Sequence, residues 1–219
     1  MLTGQNFAGF IPELLAGMLV NFEIAAIALA FGLALGALLA SMRLGGGVAG
    51  AIATASIGLM RAAPTFVVMF FLLNIIPRNA TLFGAGVTPS AMMIVALSLV
   101  PYAAAYVADN GAEALKQLRA GSPLGALQLL PNITRAFFVL VMSSSAGAAI
   151  GVTEGIAVIL REAVLLPALG DKLVLFAIGI LFFGVTLQAG FALVRLLQDR
   201  LGRRAMHSQD NGAGENDTR

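Results

Sequence analysis

Long stretches without an ionisable side chain alternate with short charged breaks along this chain. Ile24 to Met42, Ala62 to Pro77, Asn79 to Ala108, Ala136 to Thr153 and Leu173 to Val194 each lack Asp, Glu, Lys, Arg and His. A helix needs roughly 20 apolar residues to cross the hydrocarbon core of a bilayer. The five runs therefore predict five spans, with the second and fourth drawing on their flanks for length. A transmembrane barrel would instead show short segments of alternating polarity. These runs do not alternate and are rich in Leu, Ala, Met and Gly, so they predict an all-α membrane protein.

The first span is expected over Leu14 to Ser41, after an outer N-terminal segment, residues 1–13. Gly32 and Gly36 lie four apart on one helix face, a spacing that permits close helix approach. Val48 to Met60 is weakly apolar and small-residue-rich. It is read as an inner lead-in to the second span rather than a sixth crossing, because two spans there would leave no room for a turn. Arg61-Ala-Ala-Pro64 interrupts this long helix, since an internal proline removes a backbone hydrogen bond and kinks it. The second span then runs to about Ile76, and Pro77 to Pro89 forms an outer loop. Ser90 to about Leu115 is the third span, with Pro101 as a kink point.

Ser122 and Pro123 form a helix start, a hydroxyl cap followed by proline at the first helical position. Pro131 is the expected stop. The intervening two-turn helix carries Leu124, Gly125, Ala126, Leu127, Leu129 and Leu130. A helix this short is unstable alone, so its apolar surface must dock on a partner protein or lie at the lipid interface. The fourth span begins near Ala136. Gly147, Gly151 and Gly155 recur every fourth residue and predict a packing stripe. Leu173 to Gln198 is the fifth span, and the polar stretch from Ala205 to Arg219 reads as a disordered tail.

Composition sharpens this picture. The chain of 219 residues is 59% hydrophobic and 11% charged, with a mean hydropathy of +0.93. A soluble domain carries about twice that charge density. There is no cysteine, which excludes disulfide and thiol chemistry. No basic segment precedes the first apolar run, which has the length of a full span, so no cleavable signal peptide is expected. With the N-terminus outside, the inner side receives Arg43, Lys116, Arg119, Arg135, Arg195, Arg200, Arg203 and Arg204. The outer side receives Arg78, Arg161 and Lys172. This imbalance predicts an outer N-terminus and a cytoplasmic C-terminus.

Charged groups within spans are costly and so mark candidate function. Glu23, Glu154, Arg161 and Glu162 fall near predicted outer ends, and the last three are candidate substrate-path residues. Arg161 is suited to a substrate carboxylate as a bidentate donor; interfacial anchoring or an intrahelical ion pair is the plainer reading. Ser143 to Ser145 suit backbone bonding or a polar pathway, and His207 lies in the tail. No residue pattern suggests a catalytic centre or a metal site.

Several segments resemble the transmembrane subunits of ATP-binding cassette (ABC) importers, specifically the five-helix permeases for polar amino acids and opines. GMLVNFEIAAIALAFGLALGALLASMRL, from Gly17 to Leu44, is similar to that family's opening helix. RAAPTFVVMFFLL, from Arg61, resembles its arginine–glycine–threonine–proline stretch, with Ala62 and Ala63 in the middle places. ALSLVPYAAAYVAD, ending at Asp109, resembles its third helix. GIAVILREAVL resembles its stretch with a Lys-Asp pair, where Arg161 and Glu162 stand. One departure falls in the inner loop after the third helix. There the family carries a glutamate–alanine–alanine motif and a later glycine, forming a coupling helix that docks on the ATPase. Here Leu124 takes the acidic place and Leu129 or Leu130 that of the glycine.

The resemblance implies a type-1 transmembrane permease domain over residues 14–204, in a bacterial inner membrane. It implies Ser122 to Leu127 and Leu130 as the ATPase-coupling helix. It further implies a second permease subunit, identical or homologous, an ABC ATPase subunit that binds ATP and Mg, and an extracytoplasmic solute-binding protein. The chain itself has no Walker-type loop with its Lys-Ser or Lys-Thr pair, so it is expected to be neither an enzyme nor a cofactor carrier, and no nucleic-acid partner is implied. A secondary transporter, which would need repeats or a buried ion site, and a non-transporting membrane scaffold are the competing expectations.

Overall fold

The computed structural model describes residues 4–76, 89–121 and 124–216, with the backbone alone described for 4–8, 124–128 and 197–216. Seven α-helices and one 3-10 helix account for nearly all of them: α1 (Gly4–Gly45), α2 (Gly47–Ala62), α3 (Thr65–Ile75), α4 (Ala91–Arg119), α5 (Leu124–Ser143), the 3-10 helix (Ser144–Ile150), α6 (Gly155–Leu165) and α7 (Leu169–Asn216). Four segments are long and apolar enough to cross a bilayer: Gly9–Gly45, Ala91–Arg119, Leu129–Ile150 and Leu169–Leu196. The bent pair α2–α3 makes a fifth when taken as one span.

The central pair is α1 and α4, which run parallel. A Cβ added to Gly32 would lie 2.4 Å from the Ala103 Cβ, and one added to Gly36 would lie 2.7 Å from the Ala104 carbonyl oxygen. The small residues of α4 complete this fit, with Ala103, Ala104 and Ala108 wholly buried. Between helices in lipid, transfer from water contributes nothing. Close backbone approach and dispersion hold the pair instead. Around it lies a core of Ile24, Ala28, Met69, Val95, Leu99, Leu140 and Val141 drawn from α1, α3, α4 and α5. A second cluster joins Leu14 to Val158, Ile159 and Leu175. A third joins Leu39 and Ala40 to Ala53, Ile57, Ala105 and Ala108.

Two expectations about the backbone are corrected. Arg61 to Pro64 does not kink one long helix; it separates two helices bent by 98°. Proline forces its predecessor out of the helical region, and Ala63 (ψ 115°) and Pro64 (ψ 124°) are both extended. Pro131 does not stop a two-turn helix, because α5 runs through it from Leu124 to Ser143. Its fixed φ is itself helical, so one lost backbone bond is borne by the rest of a 20-residue helix. The described backbone of α7 extends from Leu169 to Asn216. Extending an existing helix adds one bond per residue fixed, without a new nucleation cost.

The fourth span also differs from its prediction. It does not continue helically through Gly155. It tightens into the 3-10 helix, turns at Gly151 (φ 85°) and restarts as α6 behind the cap Glu154. Gly147, Gly151 and Gly155 therefore form no common stripe. Gly147 packs on Val95 and Val152, Gly155 meets the Phe183 ring and Asn21, and Gly151 faces open space.

Candidate functional site

The break between the 3-10 helix and α6 carries the most developed polar cluster among the described residues. α6 needs its first N–H groups satisfied. The Glu154 carboxylate accepts from Ala157 N through Oε1 and from Ile156 N through Oε2, both at 2.9 Å. A negative charge there also suits the positive end of the helix dipole. Glu154 is fully buried, which makes further partners obligatory. α1 supplies them. Asn21 donates through Nδ2 to Glu154 Oε2 at 2.9 Å and to Ser144 Oγ at 2.8 Å, while its Oδ1 accepts from Gly155 N at 3.0 Å. Ser144 donates onward to the Val141 carbonyl at 2.7 Å.

One turn before Asn21, Gly17 lets α1 approach this break. A Cβ there would sit 2.9 Å from the Glu154 carbonyl carbon and from Gly155 N. Asn21 and Ser144 are buried as completely as Glu154, and no buried side-chain N or O atom among the described residues lacks a partner. The cluster is thus a closed polar joint between α1, the 3-10 helix and α6. A cavity of about 580 Å³ adjoins it, lined by Ser145, Ile156 and Ile159 on one side and by Phe176, Ile180 and Phe183 of α7 on the other. Its one polar side chain, Ser145, offers a hydroxyl and no charge. Among the described residues that line it, none offers an ionic partner for a zwitterion.

The three predicted path residues do not converge. Glu154 faces inward on Asn21. Arg161 is exposed and pairs with Glu13 near the start of α1, while its Nε lies 3.8 Å from the neighbouring Glu162 carboxylate. Glu154 is also corrected in setting: it is buried rather than bathed at an outer end, because the chain folds back at Gly151 and tucks the cap beneath α1. Glu23 is exposed. Asn21 went unrecognised in the sequence, whereas Ser144, read there as suited to backbone bonding, does donate to the Val141 carbonyl. An asparagine two residues before Glu23, inside an apolar run, was the available signal.

Of the coupling segment, Ser122 and Pro123 lie outside the described residues. Leu124, Gly125, Ala126 and Leu127 form the helical start of α5, and Leu130 is exposed. Leu129 reaches a smaller cavity of about 160 Å³ with Leu33, Val107 and Leu118. At the same end of α1 and α4, Asp109 accepts from two arginines: Arg43 at 3.1 Å, and Arg61 through its other oxygen.

These features define the class. This is an all-α, multi-pass integral membrane protein with about five spans, one of them bent at a proline. No protein-family model matches the chain, and no curated protein matches it in sequence. Among solved structures, it is similar to a chain of an amino acid ABC transporter crystallised with histidines. The TM-score is 0.67 at 16% identity, over 91% of this chain and 99% of that one. Over that extent the likeness is one of fold, the ABC importer type-1 transmembrane fold.

Proposed function

We propose that this chain is the permease subunit of an ABC importer that moves amino acids or similar small polar solutes, of the polar amino acid and opine type. The observation that carries this reading is the extent of the fold likeness, 91% of this chain against 99% of a chain from an amino acid ABC transporter. The four sequence segments noted above support it independently, because they fall in family order along the same helices.

In this reading two permease subunits pack together, and α7 is suited to that contact. Only 11% of its most apolar window is buried within the chain. Separate ATPase subunits bind ATP and Mg and grip the α4–α5 connection from the cytoplasm, with the N-terminus outside the bacterial inner membrane. A solute-binding protein delivers cargo. ATP binding favours one orientation of the pathway and hydrolysis the other, through contacts that differ between the two states. The solute path would be completed by the second subunit, since this chain's cavity has no charge of its own.

The test is reconstitution. The chain is co-expressed with the ATPase and binding protein encoded beside it, placed in liposomes, and assayed for ATP-dependent uptake of labelled amino acids. Uptake that requires this chain and ATP supports the reading. Uptake driven by an ion gradient without any ATPase would point to a secondary transporter instead.

A further inference from the structure

We propose that the cavity between α6 and α7 binds an organic cation whose nitrogen is fully alkylated, a quaternary ammonium, with Phe176 and Phe183 against its alkyl groups and Glu154 supplying the counter-charge from behind the wall. The inference goes beyond the transport reading. It needs only the cavity and the carboxylate next to it.

The first observation is how the wall is built. The cavity, about 580 Å³, has the size of a small-molecule site. Two close approaches hold α6 on α7 beside it. A Cβ added to Gly179 would lie 2.5 Å from Ile159 Cδ1, and one added to Gly155 would lie 2.4 Å from the tip of the Phe183 ring. The Phe183 ring is therefore fixed beside the residue that follows Glu154. The rest of the wall is aliphatic apart from Phe176 and the Ser145 hydroxyl.

The second observation is charge. Glu154 is wholly buried, and among the described residues no Lys or Arg pairs with it. The basic residue of α6, Arg161, is engaged with Glu13 and Glu162 instead. The groups that bond to Glu154 are the N–H groups of Ile156 and Ala157 and the Asn21 amide. These neutral dipoles satisfy its oxygens without cancelling its charge. An ionisable group within a span marks function. Ser145, which lines the cavity, also bonds to this carboxylate, so one layer of side chains separates the charge from a ligand. Across so short and apolar a path a charge is weakly screened.

Together these features select among ligands. A carboxylate would meet like charge. A primary ammonium brings three N–H donors, would find one hydroxyl to accept them, and a donor left unpaired is costly. A quaternary ammonium has positive charge and no donor. It presents alkyl surface to an apolar wall, and aromatic rings attract it.

The full-length chain is purified in a maltoside detergent, which carries no ammonium group, and binding of labelled choline is measured by scintillation proximity. Choline is expected to bind saturably. Its carbon isostere, a dimethylbutanol, puts a tert-butyl group where choline has trimethylammonium. Ethanolamine keeps the charge without the methyl groups. Both should compete on the order of tenfold more weakly than choline, as loss of a desolvated cation–aromatic contact does. Glu154→Gln keeps an oxygen for the α6 cap and removes the charge, and should bring choline and dimethylbutanol close to parity. Should that variant fail to stay monodisperse, Phe183→Leu keeps the wall apolar and should narrow the same ratio. Absence of saturable choline binding overturns the proposal. So does equal competition by dimethylbutanol on wild type, which marks a plain apolar hole for an acyl chain or a second subunit. Equal or stronger competition by ethanolamine marks a site that reads N–H donors and refutes it too. An unchanged ratio in a folded Glu154→Gln overturns the role given to the carboxylate.

Discussion

Asn21 and Glu154 are 133 positions apart, and the Asn21 amide donates a 2.9 Å hydrogen bond to the Glu154 carboxylate with neither residue exposed. The bond ties the middle of α1 to the point where the fourth span breaks. A buried acceptor that loses its donor bears its full desolvation penalty. Asn21→Ala should therefore destabilise the protein by about 1.5–3 kcal/mol, the range for hydrogen bonds to charged groups. Glu154→Ala should do similar harm by uncapping α6. The double variant should cost less than the sum, because groups in one network are coupled. Unfolding titrations in mixed micelles measure all three, and strict additivity would show that the two residues do not act together.

The α1–α4 contact predicts a sharp contrast between glycines. A methyl group at Gly36 would lie 2.7 Å from the Ala104 carbonyl oxygen, which is backbone and does not yield cheaply. Gly36→Ala should cost about 1–3 kcal/mol, as overpacking does. Gly58 in α2 has nothing within 4 Å of its added Cβ. Gly58→Ala should be neutral, or stabilise by up to about 1 kcal/mol through helix propensity. Thermal unfolding of the two variants in the same detergent tests the pair, and equal midpoints would contradict the parallel packing described here.

The spans were legible because each leaves a long uncharged run, and the ends of α1 and α4 follow from Arg43 and Arg119. The close approach at Gly32 and Gly36 was legible in their spacing. The break after Ser143 was not, because small residues at every fourth position are equally compatible with a packed helix and with a 3-10 segment ending at a left-handed glycine. What decides between them is tertiary. Glu154 finds Asn21, and Gly17 makes room for the turn, and no local pattern encodes a partner 133 positions away. The joint of Arg43 and Arg61 on Asp109 was hidden for the same reason. No local pattern links these three positions, and only the folded chain brings them together.

Arg161 serves as a discriminating residue because two roles predict different readouts. It pairs with Glu13, and both side chains are about half exposed. Exposed ion pairs are worth about 0–1 kcal/mol, so Arg161→Ala should barely shift the unfolding midpoint. As a residue that meets the solute, however, it would raise KM for uptake when lost. Exchanging the charges, Glu13→Arg with Arg161→Glu, should restore the pair without restoring KM. If uptake kinetics are unchanged in both variants, Arg161 is an anchor between α1 and α6 and not part of the path.

The α4–α5 connection bears the heaviest load in the proposed function, and its composition makes the prediction specific. Leu130 is exposed and lies six residues beyond the start of α5, while Leu129 turns inward toward α1 and α4. An ATPase gripping this end would therefore meet an apolar edge where the family carries an acidic residue and a glycine. Removing residues 122–132 deletes that edge together with the first two turns of α5, yet leaves the apolar run from Ala136 long enough to insert. Membrane insertion should persist in fractionation, whereas ATP-dependent uptake and co-purification of the ATPase should both be lost. The milder Leu130→Glu keeps the helix and places a charge on the exposed edge. It should weaken co-purification and lower uptake while leaving unfolding stability within about 0.5 kcal/mol, as surface substitutions do. Full uptake by either variant would mean that the ATPase grips another part of the chain.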